Sequence, residues 1–185
     1  MLNGKYILPP LRLVFLMWAF FAVENYLSID LGFLGIYPRT LHGLIGILTG
    51  PMIHGSWMHI TSNTLPLLFL GGALYYFYDK IATRVFLQCY LFTGIFVWLF
   101  GRSFYHIGAS GLIYGLAFFL ISFGIFRKDF RSMFISIVVV ALYGGIIYGI
   151  FPSQPGVSWE SHLMGAIVGV TTAFTLSKER SVSSS

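Results

Sequence analysis

Charge is scarce in this chain: Asp, Glu, Lys and Arg make up 9% of its 185 residues, against about 25% in a soluble domain. A normal wet surface is therefore excluded, and so is disorder, which requires low hydrophobicity. Cysteine is scarcer still. Cys89 stands alone within an apolar run, which excludes disulfides and cysteine-rich zinc sites and leaves it as a small buried apolar residue. There is no His-Glu-x-x-His motif for a zinc protease. Asp30, Asp79 and Asp129 fall at helix ends or in loops, so no pair of aspartates sits inside the membrane. No basic run is long enough to grip a phosphate backbone, and no nucleic acid is expected as a partner. An internal repeat, the mark of inverted-repeat transporters, is also missing.

What fills the chain is apolar: 57% of the residues are hydrophobic, and the mean hydropathy is +0.82. A spanning helix needs about 20 mostly apolar residues. Six stretches approach that length: Leu11–Leu27, Trp57–Tyr78, Thr83–Phe100, Gly108–Phe126, Met133–Phe151 and Trp159–Leu176. The fold class expected is an all-α membrane protein, a polytopic bundle of six transmembrane helices in a single domain over residues 1–185. The first stretch contains Glu24 and no small-residue cleavage site, so it reads as a span and not as a signal peptide. Lys5, Arg12, Lys80, Arg84, Arg127, Lys128, Arg131, Lys178 and Arg180 fall at the termini or in connections of one parity, and only Arg39 and Arg102 in the other. By the positive-inside rule both termini are cytoplasmic. Trp57, Trp98 and Trp159 then sit at the outer interface, the level that indole prefers.

One connection is unlike the others. From Ser28 to Ser56 it is broken by Gly32, Gly35, Pro38, Gly43, Gly46, Gly50, Pro51 and Gly55, yet it carries Leu41, Leu44, Ile45, Ile47 and Leu48. Long loops are usually functional or disordered. A greasy one on the outer side reads as a segment partly embedded in the membrane.

Polar residues inside spans are costly and mark function. All five histidines, His42, His54, His59, His106 and His162, belong to the outer side. His59 and Asn63, four residues apart, share a helix face; a hydrogen-bonding clamp between helices and a catalytic element both fit them. In the fourth stretch Gly108, Gly111 and Gly115 are spaced to make one smooth face, with Ser110 beside it at a helix N-terminus that favours a nearby anion. A packing seam capped by a serine is the plainer account of that cluster. In the sixth stretch His162 is in line with Gly165 and Gly169, a G-x-x-x-G approach motif. Two glycine faces can meet tightly enough to bring Ser110 and His162 into hydrogen-bond reach, which an activated serine requires. Tyr114, one turn below Ser110, could pack on His162 or simply fill the core. Glu160 lies on another face from His162, so a dyad and not a triad is expected. Zinc held by His54, His59 and His162 is the alternative use of these side chains.

At these positions the sequence resembles the rhomboid family of intramembrane serine proteases, the bacterial GlpG type. The matching motifs are His54…His59-x-x-x-Asn63, Gly108-x-Ser110-Gly111 and His162-x-x-Gly165-x-x-x-Gly169, in the family's order and over nearly the whole chain. The family's Trp-Arg pair in the first loop is absent; Arg39 follows Pro38 instead. The resemblance implies Ser110 as nucleophile and His162 as general base, and His59 and Asn63 lining an oxyanion hole. It also implies Tyr114 stacked on His162, and Gly108, Gly111, Gly165, Gly169 and His54 in support. It implies no metal and no cofactor, transmembrane proteins as substrates, lipid as surroundings, and an inner-membrane location with the site facing outward. A transporter with an outer polar cavity is the competing class; it would need polar residues on the inner half as well, where Gln88 and a few hydroxyls are all that is found.

Overall fold

The computed structural model describes residues 8–152 and 156–179; Lys5, Arg180 and the tail Ser181–Ser185 lie outside the described residues. Six long helices carry the fold: α1 (Leu8–Leu27), α2 (Trp57–Phe77), α3 (Asp79–Phe100), α4 (Ser110–Arg127), α5 (Phe130–Tyr143) and α6 (Trp159–Ser177). Tyr78 alone separates α2 from α3, and Lys128–Asp129 separates α4 from α5. At the second junction Lys128 takes the left-handed φ of 60° that ends α4. The Asp129 carboxylate then accepts from the Ser132 N–H at 2.9 Å to start α5, a side-chain N-cap.

Helix α4 is the centre of the bundle. Two-thirds (67%) of its span is buried, against 17% for the span that follows, and Leu116, Phe119, Leu120 and Phe123 are fully enclosed. A helix apolar on all sides belongs inside. Its tightest neighbour is α6, through glycine. A Cβ built on Gly165 would lie 2.1 Å from the Gly111 carbonyl oxygen, and one on Gly169 would lie 2.2 Å from that of Gly115. A Cβ built on Gly115 would also lie 2.9 Å from the Cβ of Cys89 on α3. The two backbones therefore touch where any side chain would hold them apart.

Among the described residues, four helical spans are long and apolar enough to cross a membrane by length and composition: Pro9–Leu27, Asp79–Phe100, Ser110–Arg127 and Phe130–Ile150. Helices α2 and α6 have the length but not the hydropathy. The reason is chemical: α2 opens with His59, Thr61, Ser62, Asn63 and Thr64, and α6 with Glu160, Ser161 and His162; all six stretches read from the sequence form long helices. The fifth stretch is a span over Phe130–Ile150 whose conformation changes along its length. Its α-helix stops at Tyr143, before the Gly144–Gly145 pair, and continues as a 3-10 helix over Gly144–Ile150, long for that conformation.

The connection over Ser28–Ser56 is ordered by short helical turns, Gly32–Leu34, His42–Leu44, Gly46–Thr49 and Gly50–Met52. It lies along α3: the Tyr90 hydroxyl donates to the Leu48 carbonyl at 2.5 Å, Ile47 presses on Gly94, and Trp98 Nε1 donates to the Thr40 carbonyl at 2.8 Å. Arg39 donates to the carbonyls of Leu99 and Gly101 at 3.3 and 2.8 Å, satisfying acceptors that the end of α3 leaves open. Leu41, Ile45 and Leu48 remain exposed along the segment.

Candidate active site

The glycine contact sets the site. Because α4 and α6 touch through Gly111 and Gly165, the residues at the starts of both helices are brought together. Ser110 Oγ lies 2.9 Å from His162 Nε2. The other ring nitrogen, Nδ1, lies 2.9 Å from the carbonyl oxygen of Gly149. A carbonyl can only accept, so Nδ1 carries the hydrogen and Nε2 presents a lone pair to the serine. The Tyr114 ring stacks on the imidazole at a centroid distance of 4.1 Å and an interplanar angle of 3°. The side chain is thus held in plane by one contact and against rotation by the other.

Gly149 is absent from every expectation drawn from the sequence. It sits in the 3-10 segment, thirteen positions before His162, and its part is played by a main-chain oxygen. A Cβ there would fall 1.9 Å from the Tyr114 hydroxyl and 3.2 Å from His162 Nδ1, so only glycine fits beside the stacked pair.

Gly108 is not the first residue of a glycine face on α4. It precedes the helix, with a φ of 99°, and the seam is made by Gly111 and Gly115 alone. A Cβ on Gly108 would lie 2.4 Å from His59 Nε2 and 3.4 Å from Asn63 Nδ2. The bare backbone just before Ser110 is therefore what allows these two α2 side chains to approach. Asn63, 4% exposed, donates through Nδ2 to His54 Nε2 at 2.9 Å. His54 Nδ1 lies 3.3 Å from the Met52 carbonyl, which makes His54 a neutral imidazole with its hydrogen on Nδ1. Burial, and secondarily His59 beside it, push the pKa of His54 down to about 4. The Ile113 N–H is the first on α4 to reach a helical carbonyl, that of Ala109, at 3.0 Å; the N–H groups ahead of it sit at the positive end of the helix dipole.

Ser110, His162, Tyr114, His59 and Asn63 all line one cavity of about 690 Å³. Tyr143 and Ile146 add apolar lining to the same cavity. His54 stands behind it as support for Asn63. His106 and His42 are drawn elsewhere, His106 to Ser158 and His42 to Tyr37 and Tyr105. Among the described residues no group of three or more His, Cys, Asp or Glu side chains is gathered closely enough to hold a metal ion.

The match to known proteins follows these motifs. The model of the rhomboid domain matches residues 41–179, which takes in α2 to α6 and every residue of the cavity wall. An uncharacterized protein of Mycobacterium tuberculosis is 38% identical over 152 residues, covering 77% of this chain and 63% of its own length. One of Mycobacterium leprae is 39% identical over 143 residues, 72% of this chain and 57% of its own. This chain spans less than two-thirds of the length of those relatives. The chain belongs to the rhomboid family, a family of intramembrane proteases, and is an all-helical, polytopic membrane protein.

Proposed function

We propose that this chain is an intramembrane serine endopeptidase that hydrolyses peptide bonds in or near the transmembrane segments of other membrane proteins. The observation that carries the reading is the 2.9 Å contact between Ser110 Oγ and His162 Nε2, with Nδ1 committed to a carbonyl so that Nε2 is the acceptor. Ser110 Oγ attacks the scissile carbonyl carbon while its proton passes to Nε2. The oxyanion that forms is stabilised by the second amide hydrogen of Asn63, by His59 Nε2–H, and by N–H groups at the start of α4. His162 then returns the proton to the departing amine, and a water molecule, deprotonated by the same nitrogen, releases the acyl group and restores Ser110. The imidazolium is steadied by the Gly149 carbonyl instead of a carboxylate. Much of acyl-transfer catalysis comes from the oxyanion hole and from positioning, so a dyad suffices.

The charge pattern supports an orientation with both termini in the cytoplasm and the cavity facing the outer side of a bacterial inner membrane. The segment over Ser28–Ser56 lies in the lipid interface through its exposed leucines. Substrates are transmembrane proteins, the surroundings are lipid, and no cofactor is needed. The test is labelling by a fluorophosphonate, with cleavage of a transmembrane substrate measured alongside. Wild type should label and cut, and Ser110→Ala should do neither while remaining folded in detergent, because only a hydroxyl is removed. Cleavage by Ser110→Ala near the wild-type rate overturns the assignment.

A further inference from the structure

Glu160 is a carboxylate only 3% exposed, in the first turn of α6, two residues before His162. Its partner is Arg102, on the connection from α3 to α4. Arg102 Nε donates to Oε1, Nη2 to Oε2 at 3.0 Å, and the Arg102 main-chain N–H reaches Oε1 at 3.4 Å. The guanidinium also lies over the rings of Phe104 and Trp159, at 5.0 and 5.7 Å from their centroids. An ion pair with its carboxylate buried and its guanidinium exposed is weak ground for stability by itself, since solvent screens the open side and apolar residues can fill the buried one. What a two-pronged guanidinium–carboxylate contact supplies is geometry: two parallel hydrogen bonds fix angle as well as distance.

A second link runs beside it. The Ser158 hydroxyl caps α6 by accepting from the Ser161 N–H at 3.3 Å. Ser158 Oγ lies 2.7 Å from Ser161 Oγ and 2.5 Å from His106 Nδ1, and His106 Nε2 lies 3.0 Å from the Arg102 carbonyl oxygen. That carbonyl only accepts, so Nε2 carries the hydrogen, Nδ1 accepts from Ser158, and Ser158 accepts from Ser161. Each of the two hydroxyls then donates once, Ser161 to Ser158 and Ser158 to His106, in one consistent direction. It requires a neutral imidazole, in keeping with the burial that holds the pKa of His106 below its ordinary value. His106 is itself fixed by its main chain, which exchanges hydrogen bonds with Ile36 at 2.9 and 2.8 Å.

Arg102 and His106 lie on the stretch that leads into Ser110; Ser158 and Glu160 lie on the turn that leads into His162. We propose that Glu160 and Arg102 are positioning residues whose ion pair sets the register of the first turn of α6 against the α3–α4 connection, and through it the contact between Ser110 and His162. Glu160 does not touch the imidazole; it acts on the helix that presents it. The inference rests on the reading of Ser110 as nucleophile, and its test separates the two.

The rate of fluorophosphonate labelling and the kcat and KM for a transmembrane substrate are measured in detergent for wild type, Ser110→Ala, Glu160→Gln, Arg102→Lys and Arg102→Gln. All are measured at a temperature where the melting curve of each shows it folded. Glu160→Gln and Arg102→Gln should lower both the labelling rate and kcat by about 10- to 100-fold, as displacements of up to about 1 Å between reacting groups do, while KM stays within about twofold. Arg102→Lys, which keeps the charge but loses the fork, should fall between them and wild type. The double variant Arg102→Gln/Glu160→Gln should lose no more than either single one, because the same contact is broken once. Labelling within about twofold of wild type in the folded variants, even with lower melting temperatures, overturns the proposal and leaves the pair a structural fastening. Where Glu160→Gln does not fold, the two Arg102 variants, altered at the exposed end of the pair, decide the matter. Equal labelling of wild type and Ser110→Ala instead overturns the reading of the nucleophile.

Discussion

Adding one methyl group at Gly165 attacks the site through its scaffold. The Cβ of Gly165→Ala would lie 2.1 Å from the Gly111 carbonyl oxygen and 3.2 Å from the Gly115 nitrogen, both backbone atoms that cannot swing aside. Ordinary contact begins at 3.4 Å, so α4 and α6 must part by about 1.3 Å, the difference between 3.4 and 2.1. Gly165 is less than one turn beyond His162, and Gly111 is next to Ser110, so the separation falls on the 2.9 Å hydrogen bond of the dyad. Overpacking of this kind costs about 1–3 kcal/mol of stability, while a shift of about 1 Å between nucleophile and base lowers the rate by about 100-fold. The expected outcome is a modest fall in detergent melting temperature with a far larger loss of cleavage and of fluorophosphonate labelling. Gly72→Ala is the control, because nothing lies within 4 Å of its Cβ. It should gain up to about 1 kcal/mol from the better helix former and cut normally. If Gly165→Ala labels at the wild-type rate and melts at the wild-type temperature, α4 and α6 do not meet through these glycines, and the account of how Ser110 reaches His162 is wrong.

Further expectations concern single contacts. Gly149→Ala should lose activity because its Cβ would strike the Tyr114 hydroxyl at 1.9 Å; Tyr114→Phe alone should cut nearly as well as wild type, and the double variant should recover part of the loss, as steady-state cleavage would record. Ser110→Cys should react with a small water-soluble thiol reagent added from outside intact cells, since Ser110 lines an open cavity; complete protection would show that water does not reach it. His54 has its pKa depressed in the fold to about 4 from an ordinary 6.5, so the unfolded chain takes up its proton first. Its contribution to stability is present above about pH 6.5 and is lost as pH falls toward 4, at about 1.4 kcal/mol per unit within that window. His54→Gln, uncharged throughout, should show a flatter acid limb in unfolding titrations; an identical slope would exclude His54 as its source.

The sequence by itself determined the class, because 57% hydrophobic residues and 9% charged ones leave a chain no way to fold in water, and six apolar stretches name their own helices. It also pointed to Ser110 and His162 together, since both lie beside glycines at helical spacing and tight approach is what such faces do; a plain packing seam fitted the same pattern. Periodicity could not foresee where a helix changes hand-hold: the fifth stretch is apolar throughout, and its passage from α-helix to 3-10 after Tyr143 leaves no mark beyond Gly144–Gly145. The Gly149 carbonyl that orients His162 was hidden for the same reason, because a main-chain oxygen is identical at every residue and gains a role only from position. Gly108 shows the opposite error. Its spacing from Gly111 suggested a helix face, but a φ of 99° puts it outside the helix, against His59 and Asn63. Glu160 was legible as an acid turned away from His162. That its partner is Arg102, 58 positions earlier in the chain, was decided by the packing of α6 against the α3–α4 connection, a long-range contact that no local pattern encodes.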